Sequence, residues 1–378
     1  MNKHLQNINT YNKAYKFRLL PTKSQEIFFA KTFGCVRFMW NQLLAYADSH
    51  YKEHGKTGYT TPAKLKAEYV WLKEIDSLAL ANVQLNLEKA YKSFFKQISK
   101  FPKFKSKKDT RQSYTTNNQE ASNSIRIEQK TIRLPKVGIV KFIQHRQLKK
   151  TEKIKSCTIS KSPSGKYYVS ITVEGISEIK KVVPNKDKVL GLDFVMNGLY
   201  VSSEAEIANY PRYYRKAEEK LHKLSQAVSR KVKGSNNRHK ARLKLAKWHE
   251  TIRNLRDDFL HKLSHELANK YDVIVTEDLN MRDMSQALNF GKSVADNGWG
   301  RFLRFLEYKL LDLGKQFIKI DKWFASSKTC SNCGTKKAEL PLSVREYVCD
   351  NKQCNLTINR DYNAALNIRT AGMAGIAW

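Results

Sequence analysis

The stretch Lys188–Ser203, KVLGLDFVMNGLYVSS, decides the fold. Val189 to Leu192 form an apolar run around one glycine, which reads as a buried central strand. Asn197-Gly198 is a strong hairpin signal, so a second strand follows from Leu199. Asp193 stands at the end of the first strand. Towards the C-terminus, the region from Arg212 to Arg256 holds fifteen Lys and Arg against three Glu. It reads as a basic helical hairpin broken at Gly234-Ser235-Asn236-Asn237. YDVIVTEDL (Tyr271 to Leu279) is a buried strand ending in acids, Trp299 to Leu313 an amphipathic helix, QFIKIDKW a strand and Asp361 to Arg369 a last helix. Strands first, then helix and strand in alternation, define an α/β domain.

Towards the N-terminus, Ile176 to Lys188 is a charged linker. Before it, SIRIEQKTIRLP, GIVKFI, KSCTIS and KYYVSITVE are short β-rich pieces divided by the turns KVG and SPSGK. They predict a small antiparallel sheet or barrel. KAYKFRLL (Lys13 to Leu20) alternates apolar and basic residues, reads as a strand able to join that sheet, and is stopped by Pro21. Helices are expected from Ser24 to about Tyr51, with Ile27, Phe28, Phe33, Val36, Trp40, Leu43 and Leu44 at helical spacing. A second is expected from Ser77 to Ser99, with Leu80, Val83, Leu87, Tyr91 and Phe94.

The 378 residues suffice for two or three domains, and 41% hydrophobic residues exclude wholesale disorder. Sixty-nine Lys and Arg against thirty-five Asp and Glu leave a formal charge of +34. Such a surface repels itself unless a polyanion binds, which points to nucleic acid. No uncharged apolar run approaches the ~18 residues of a membrane span. The opening MNKHLQNINTYNK lacks the apolar core of a signal peptide, so a cytosolic protein without membrane association is expected. From Phe101, FPKFKSKKDTRQSYTTNNQ places Lys103, Lys105, Lys107, Lys108 and Arg111 among aromatic and amide side chains. That mixture suits backbone contact and base stacking.

Two constellations carry chemistry. Cys330 and Cys333 in TCSNCG are followed, fifteen residues later, by Cys349 and Cys354 in VCDNKQC. Two close thiolate pairs at this spacing suit one tetrahedral structural Zn²⁺ in a reducing compartment. No His lies between Ser327 and Arg360, so Cys354 closes the set. Cys35 and Cys157 read as plain core residues. The second constellation is Asp193, Glu277 at the end of VIVT, and Asp361 at the start of the last helix. Acids at the ends of central strands converge, and their mutual repulsion calls for divalent cations. An oxygen-only set suits Mg²⁺ or Mn²⁺, and a pair of such ions supports phosphodiester hydrolysis. Asp278 should face away and be structural. His261 and His265, four apart on a helix, have no third ligand nearby and read as a polar face.

With KAYKFRLLPTKSQE, FGCVRFMWN, SYTTNNQ, GLDF, VIVTEDLN, SSKTCSNCG and NRDYNAALNI in this order, nearly the whole chain resembles the TnpB family. These are the OrfB-type proteins of insertion sequences, relatives of type V CRISPR effectors. The resemblance implies a multidomain α+β protein. Its parts would be an N-terminal β-barrel (wedge, 1–22 and 101–180) with an inserted helical recognition lobe (23–100). An RNase H-like RuvC domain (181–326 and 359–378) would follow, carrying a zinc ribbon (327–358). It implies a transposon-encoded endonuclease guided by RNA from the transposon end and cutting double-stranded DNA beside a short motif. Asp193, Glu277 and Asp361 would be its catalytic, magnesium-binding acids.

The implied location is the prokaryotic cytoplasm, at the nucleoid. By position, Tyr59, Ser77, Asn82, Gln84, Thr115, Thr116, Asn117, Asn118 and Gln119 are candidates for reading the motif. Lys103, Lys105, Lys107, Lys108, Arg111, Arg230, Lys231 and Lys233 are candidates for the phosphate backbone. Two departures stand out: Val195 where the family usually has Gly, and four residues inside the second Cys pair where two are common. An RNA-guided repressor or non-cleaving transposition factor remains the alternative.

Overall fold

Thr10–Leu20 (β1) alternates as a half-buried strand must: Tyr15, Phe17 and Leu19 face the core, while Lys16, Arg18 and Leu20 are exposed. The computed structural model describes residues 10–376 apart from 57, 109–111, 120, 177–178, 197, 282–295 and 342. The chain divides into two units, Met1–Ser177 and Glu178–Trp378.

In the first unit β1 joins β2 (Gln112–Asn117), β3 (Arg126–Glu128), β4 (Thr131–Leu134), β5 (Gly138–Ile143), β6 (Lys153–Lys161) and β7 (Tyr167–Ile176). The order is β2-β6-β7-β1-β5-β4-β3, antiparallel throughout. The expected barrel is therefore an open, half-barrel sheet among the described residues, with β2 and β3 as its edges. The Asn118 side chain bridges the gap, accepting from Ile125 N–H at 2.9 Å and donating to Ile154 O at 3.1 Å.

Helix α1 (Lys23–His54) begins in a capping box between Thr22 and Gln25 and ends at left-handed Gly55. Phe29, Phe33, Met39 and Leu43 of α1 share a core with Leu80, Val83 and Leu87 of α3 (Ser77–Phe95) and with Phe17, Val169 and Ile171 of the sheet. Cys35 and Cys157 are buried in that core. The chain leaves α3 at Phe95 rather than Ser99, because Gln97 takes a left-handed conformation (φ 58°). Thr61-Pro62 starts a short helix α2 (Pro62–Glu68) that periodicity does not reveal, although an N-cap before Pro marks it.

In the second unit β8 (Val189–Phe194), β9 (Tyr200–Ser202), β10 (Ile207–Ala208), β11 (Val273–Glu277) and β12 (Gln316–Ile320) lie in the order β10-β9-β8-β11-β12. β8, β11 and β12 are parallel, and β9 runs antiparallel to β8. Of the hairpin turn between β8 and β9, Asn197 lies outside the described residues. Helices α4 (Tyr213–Ser229) and α5 (Asn236–Lys270) form the expected basic hairpin, with Ser235 capping α5.

Two helical layers sandwich this sheet. Leu190, Leu192 and Ile274 face α5 and α6 (Trp299–Asp312), meeting Leu260, Leu267, Trp299, Phe302 and Leu306. Val189, Val273 and Val275 face the other way, onto Ile368 of α7 (Arg360–Met373). A two-stranded ribbon, β13 (Glu346–Val348) and β14 (Thr357–Asn359), precedes α7. No described helix is long and apolar enough to cross a membrane.

Candidate metal centres

Strand parity places the acids. Successive side chains alternate between faces, so Asp193 shares the face of Val189 and Gly191, and Glu277 that of Val273 and Val275. This is the face covered by α7. Thr276 is in register with Leu192, so Glu277 and Asp193 leave adjacent parallel strands at the same level. Asp361 completes the set from the first turn of α7, where Asn359 caps the backbone N–H groups of Asp361 (3.0 Å) and Tyr362 (3.1 Å). The close fit of helix to sheet needs two glycines. A Cβ on Gly191 would collide with the Ala365 carbonyl, and one on Gly372 with the Val275 side chain.

The acids act on one another. Burial, then the charges of Glu277 and Asp361, push the Asp193 carboxyl well above the ordinary carboxylate range; Arg360 and the Phe194 N–H oppose this. Burial also raises Glu277, against a hydrogen bond donated to Oε1 by the Ser326 hydroxyl. Arg345 stands 3.9 Å from Asp361. Asp278 is exposed and paired with Lys319 at 3.3 Å. The His261 ring stacks on Phe305 at 3.7 Å, and His265 bonds Asn269 at 3.1 Å. A half-buried, oxygen-only set in which like charges raise Asp193 is what a hard divalent cation relieves.

The four cysteines form the second centre. Among the described residues they are the one group of three or more His, Cys, Asp or Glu placed to hold a single metal ion, and their ligand atoms all lie within 4.8 Å of one another. Sγ of Cys330 is 3.7 Å from Cys354 and Sγ of Cys333 is 3.5 Å from Cys349. Sulfurs tetrahedral about a zinc at ~2.3 Å would be roughly 3.8 Å apart, so the set fits that ion. The Thr335 hydroxyl, 3.2 Å from Cys333, draws this exposed thiol down to about 6, towards the ligating thiolate. The longer second pair is accommodated by a tight turn. Cys354 N–H bonds Asn351 O at 2.9 Å, and Asn355 turns left-handed at φ 47°. The turn leaves all four ligand atoms within 4.8 Å of one another.

The nucleic-acid candidates divide. Asn82 reaches Asn117 at 3.4 Å, and Thr116 donates to Asp76, so the start of α3 and strand β2 come together. Thr116 is buried there, however, and Asn118 is spent on the sheet edge. Ser77 accepts from Lys66 (3.1 Å), Gln84 donates to Glu88 (3.0 Å), and Thr115 pairs with Thr158 (2.8 Å). Gln119 N–H bonds Ser124 (3.1 Å), while the Tyr59 ring is exposed. The Lys103–Lys108 loop is pinned to α1 by its backbone, with Trp40 Nε1 donating to Lys103 O (3.0 Å) and Asn41 bracketing Lys105. Lys103, Lys105, Lys107 and Lys108 are exposed; Arg111 lies outside the described residues. Arg230, Lys231 and Lys233 are exposed in the turn between α4 and α5.

Sequence reading missed Ser326, Arg360, Asn363 and Asn367. Buried Asn363 and Asn367 sit four apart on α7 and hold the loop that carries Ser326. Two amides at helical spacing within a run of alanines were the available signal.

Three family models match the chain. Residues 168–288 match the OrfB model described as a probable transposase, 299–368 the Cas12f1-like, TNB domain, and 11–56 an OrfB helix-turn-helix domain. Over 11–56 the structure is one strand and one unbroken helix, β1 and α1. A Streptomyces pristinaespiralis protein, provisionally named an RNA-guided DNA endonuclease, is 34% identical over 97% of this chain and 90% of its own length. InsQ of Escherichia coli K12, provisionally named likewise, is 32% identical over 97% and 93%. The fold is also that of a chain in the cryo-EM structure of the Cas12f1-sgRNA-target DNA complex. There the TM-score is 0.59 at 12% identity, over 95% of this chain and 99% of that one. Since curated relatives more than 30% identical span 97% of this chain and at least 90% of their own length, the chain belongs to the TnpB family of OrfB-type insertion-sequence proteins.

Proposed function

We propose that this protein is an RNA-guided endonuclease that cuts double-stranded DNA beside a short motif, its guide being an RNA from the transposon end. The observation that carries the reading is the acid set. Asp193 and Glu277 leave adjacent parallel strands on the face that α7 covers, Asp361 stands in the first turn of α7, and burial and like charge push Asp193 up. Carboxylates perturbed by burial and like charge cluster at functional sites. The names of the relatives and the charge of +34 agree with nucleic-acid partners.

On this reading residues 181–326 and 359–378 form an RNase H-like RuvC domain, and 327–358 are its zinc ribbon. The wedge is 1–22 and 101–180, and 23–100 are the recognition lobe. Asp193, Glu277 and Asp361 would hold two Mg²⁺ or Mn²⁺ ions, and the cysteines one structural Zn²⁺. Bound divalent ions supply water activation and charge stabilisation for phosphodiester hydrolysis. The chain's own residues do the rest. The acids present oxygens from two strands and one helix. Ser326 fixes Glu277, and exposed lysines hold the polyanion by its backbone.

The test pairs a gel shift with cleavage on one target. Asp193→Ala, Glu277→Ala and Asp361→Ala should each abolish cutting and leave guided binding intact, because base pairing and lysine–phosphate contacts do not involve the acids. Full cleavage by Asp193→Ala would put the chemistry elsewhere. Equal cutting by RNA-free protein, irrespective of target sequence, would remove the guide from the reading. A wild-type protein that binds its guided target and never cuts would be a repressor.

A further inference from the structure

The loop Ser326–Ser331 touches both metal centres. At one end Ser326, buried, donates its hydroxyl to Glu277 Oε1. At the other lies Cys330, the first cysteine of the thiolate cluster. Two amides of α7 hold the loop between them. Asn363 Nδ2 donates to Thr329 O at 2.7 Å, and its Oδ1 accepts from Ser331 N–H at 3.0 Å. Asn367 Nδ2 donates to Ser326 O at 2.8 Å and to Thr329 O at 2.6 Å. Asn363 and Asn367 are 0% and 6% exposed, so water does not compete for these bonds. The same helix carries Asp361. Ser326 is therefore tied to α7 through Asn367, and Asp361 belongs to the same helix.

We propose that Ser326, held in place by Asn367, is a positioning residue that orients the Glu277 carboxylate to receive a divalent cation. The proposal rests on the acid-site reading above. A carboxylate at the end of a strand has free χ rotations, and a cation site needs its oxygen in one place. A hydrogen bond from a buried hydroxyl on a clamped loop supplies that constraint. Partners of this kind, one shell out from the ligand, change metal affinity by ~10–100-fold when removed.

The experiment uses the full chain and two readouts. Binding of Mn²⁺ to the protein without nucleic acid is followed by electron paramagnetic resonance, and guided cleavage is titrated with Mg²⁺. Ser326→Ala should weaken Mn²⁺ binding and raise the Mg²⁺ needed for half-maximal cleavage by ~10-fold or more. Zinc content and guided DNA binding should not change. Ser326→Thr keeps the hydroxyl and should restore both values to within about threefold of wild type. Asn367→Ala keeps the hydroxyl but frees its loop, and should shift both in the same direction as Ser326→Ala. A Ser326→Ala protein that binds Mn²⁺ as tightly as wild type overturns the proposal while leaving the acid site standing. Wild-type protein with no Mn²⁺ binding sensitive to Asp193→Ala overturns both.

Discussion

Asp193 sits where burial and two neighbouring charges disfavour its ionised form. In the unfolded chain it ionises near the ordinary value of ~3.9; in the folded protein it does so higher. Without divalent ions, folding therefore carries a penalty that is absent below the unfolded value. It grows as pH rises towards the folded value and is complete above it. Asp193→Asn should consequently melt higher than wild type at pH 8 in chelator and equal it near pH 3.5. Adding Mg²⁺ should narrow the gap by stabilising only the wild type. Equal melting temperatures at pH 8 in chelator would mean that Asp193 is not under strain. Gly191, two residues away, makes a steric prediction. A methyl there meets the backbone of α7 rather than a yielding side chain. Gly191→Ala should destabilise the protein by at least ~1–3 kcal/mol in denaturant unfolding. It should also cut activity beyond what the lost stability explains, because α7 carries Asp361.

At the scale of elements, α7 organises the second unit: one face packs on the sheet and its amides grip the loop into the cysteines. Loss of the metal-ligand set should therefore be felt along the helix. Cys330→Ser and Cys354→Ser are each expected to lower bound zinc from about one per chain. Faster amide exchange should follow at Ser326–Ser331 and in the first turn of α7, but not in α1. Unchanged zinc would show that other groups hold it.

Much of this was legible beforehand because it is local. Lys188–Ser203, the cysteine spacing and the break at Gly234-Ser235 each announce an element within a few residues of themselves, and Asp193 and Glu277 are marked by strand ends and Asp361 by a helix start. What escaped was long-range. Nothing near Ser326 tells of Glu277, forty-nine residues earlier. Nothing in SYTTNNQ says that Thr116 turns inward to Asp76 while Asn118 staples a sheet edge. Whether the barrel closes depends on edge pairing, which alternation along single strands does not encode.

Across the whole molecule, the charge of +34 sets the binding thermodynamics. Each phosphate neutralised releases counterions, so affinity for RNA should fall steeply with salt. Ten or so such contacts lose ~10³–10⁵ between 50 and 200 mM. Filter binding of the RNA-free protein to unrelated RNA should show a slope of several in log–log form; a slope near zero would mean that the lysines do not meet phosphate.

The pairing of β1 with β7 bears on synthesis. Leu19 meets Tyr167 and Thr10 meets Ile176, so the central strand of the first sheet waits for a partner made roughly 150 residues later. At ~5–20 residues per second that is on the order of 8–30 s on the ribosome. Until β5 is made β1 offers two open hydrogen-bonding edges, and from then until β7 it keeps one open along most of its length, with three large apolar side chains, Tyr15, Phe17 and Leu19. Lys16 and Arg18, set between them, are the kind of charge that keeps an unpaired strand from joining the wrong neighbour. The basic residues of KAYKFRLL thus stand where charge guards an unpaired strand, before any nucleic acid is met.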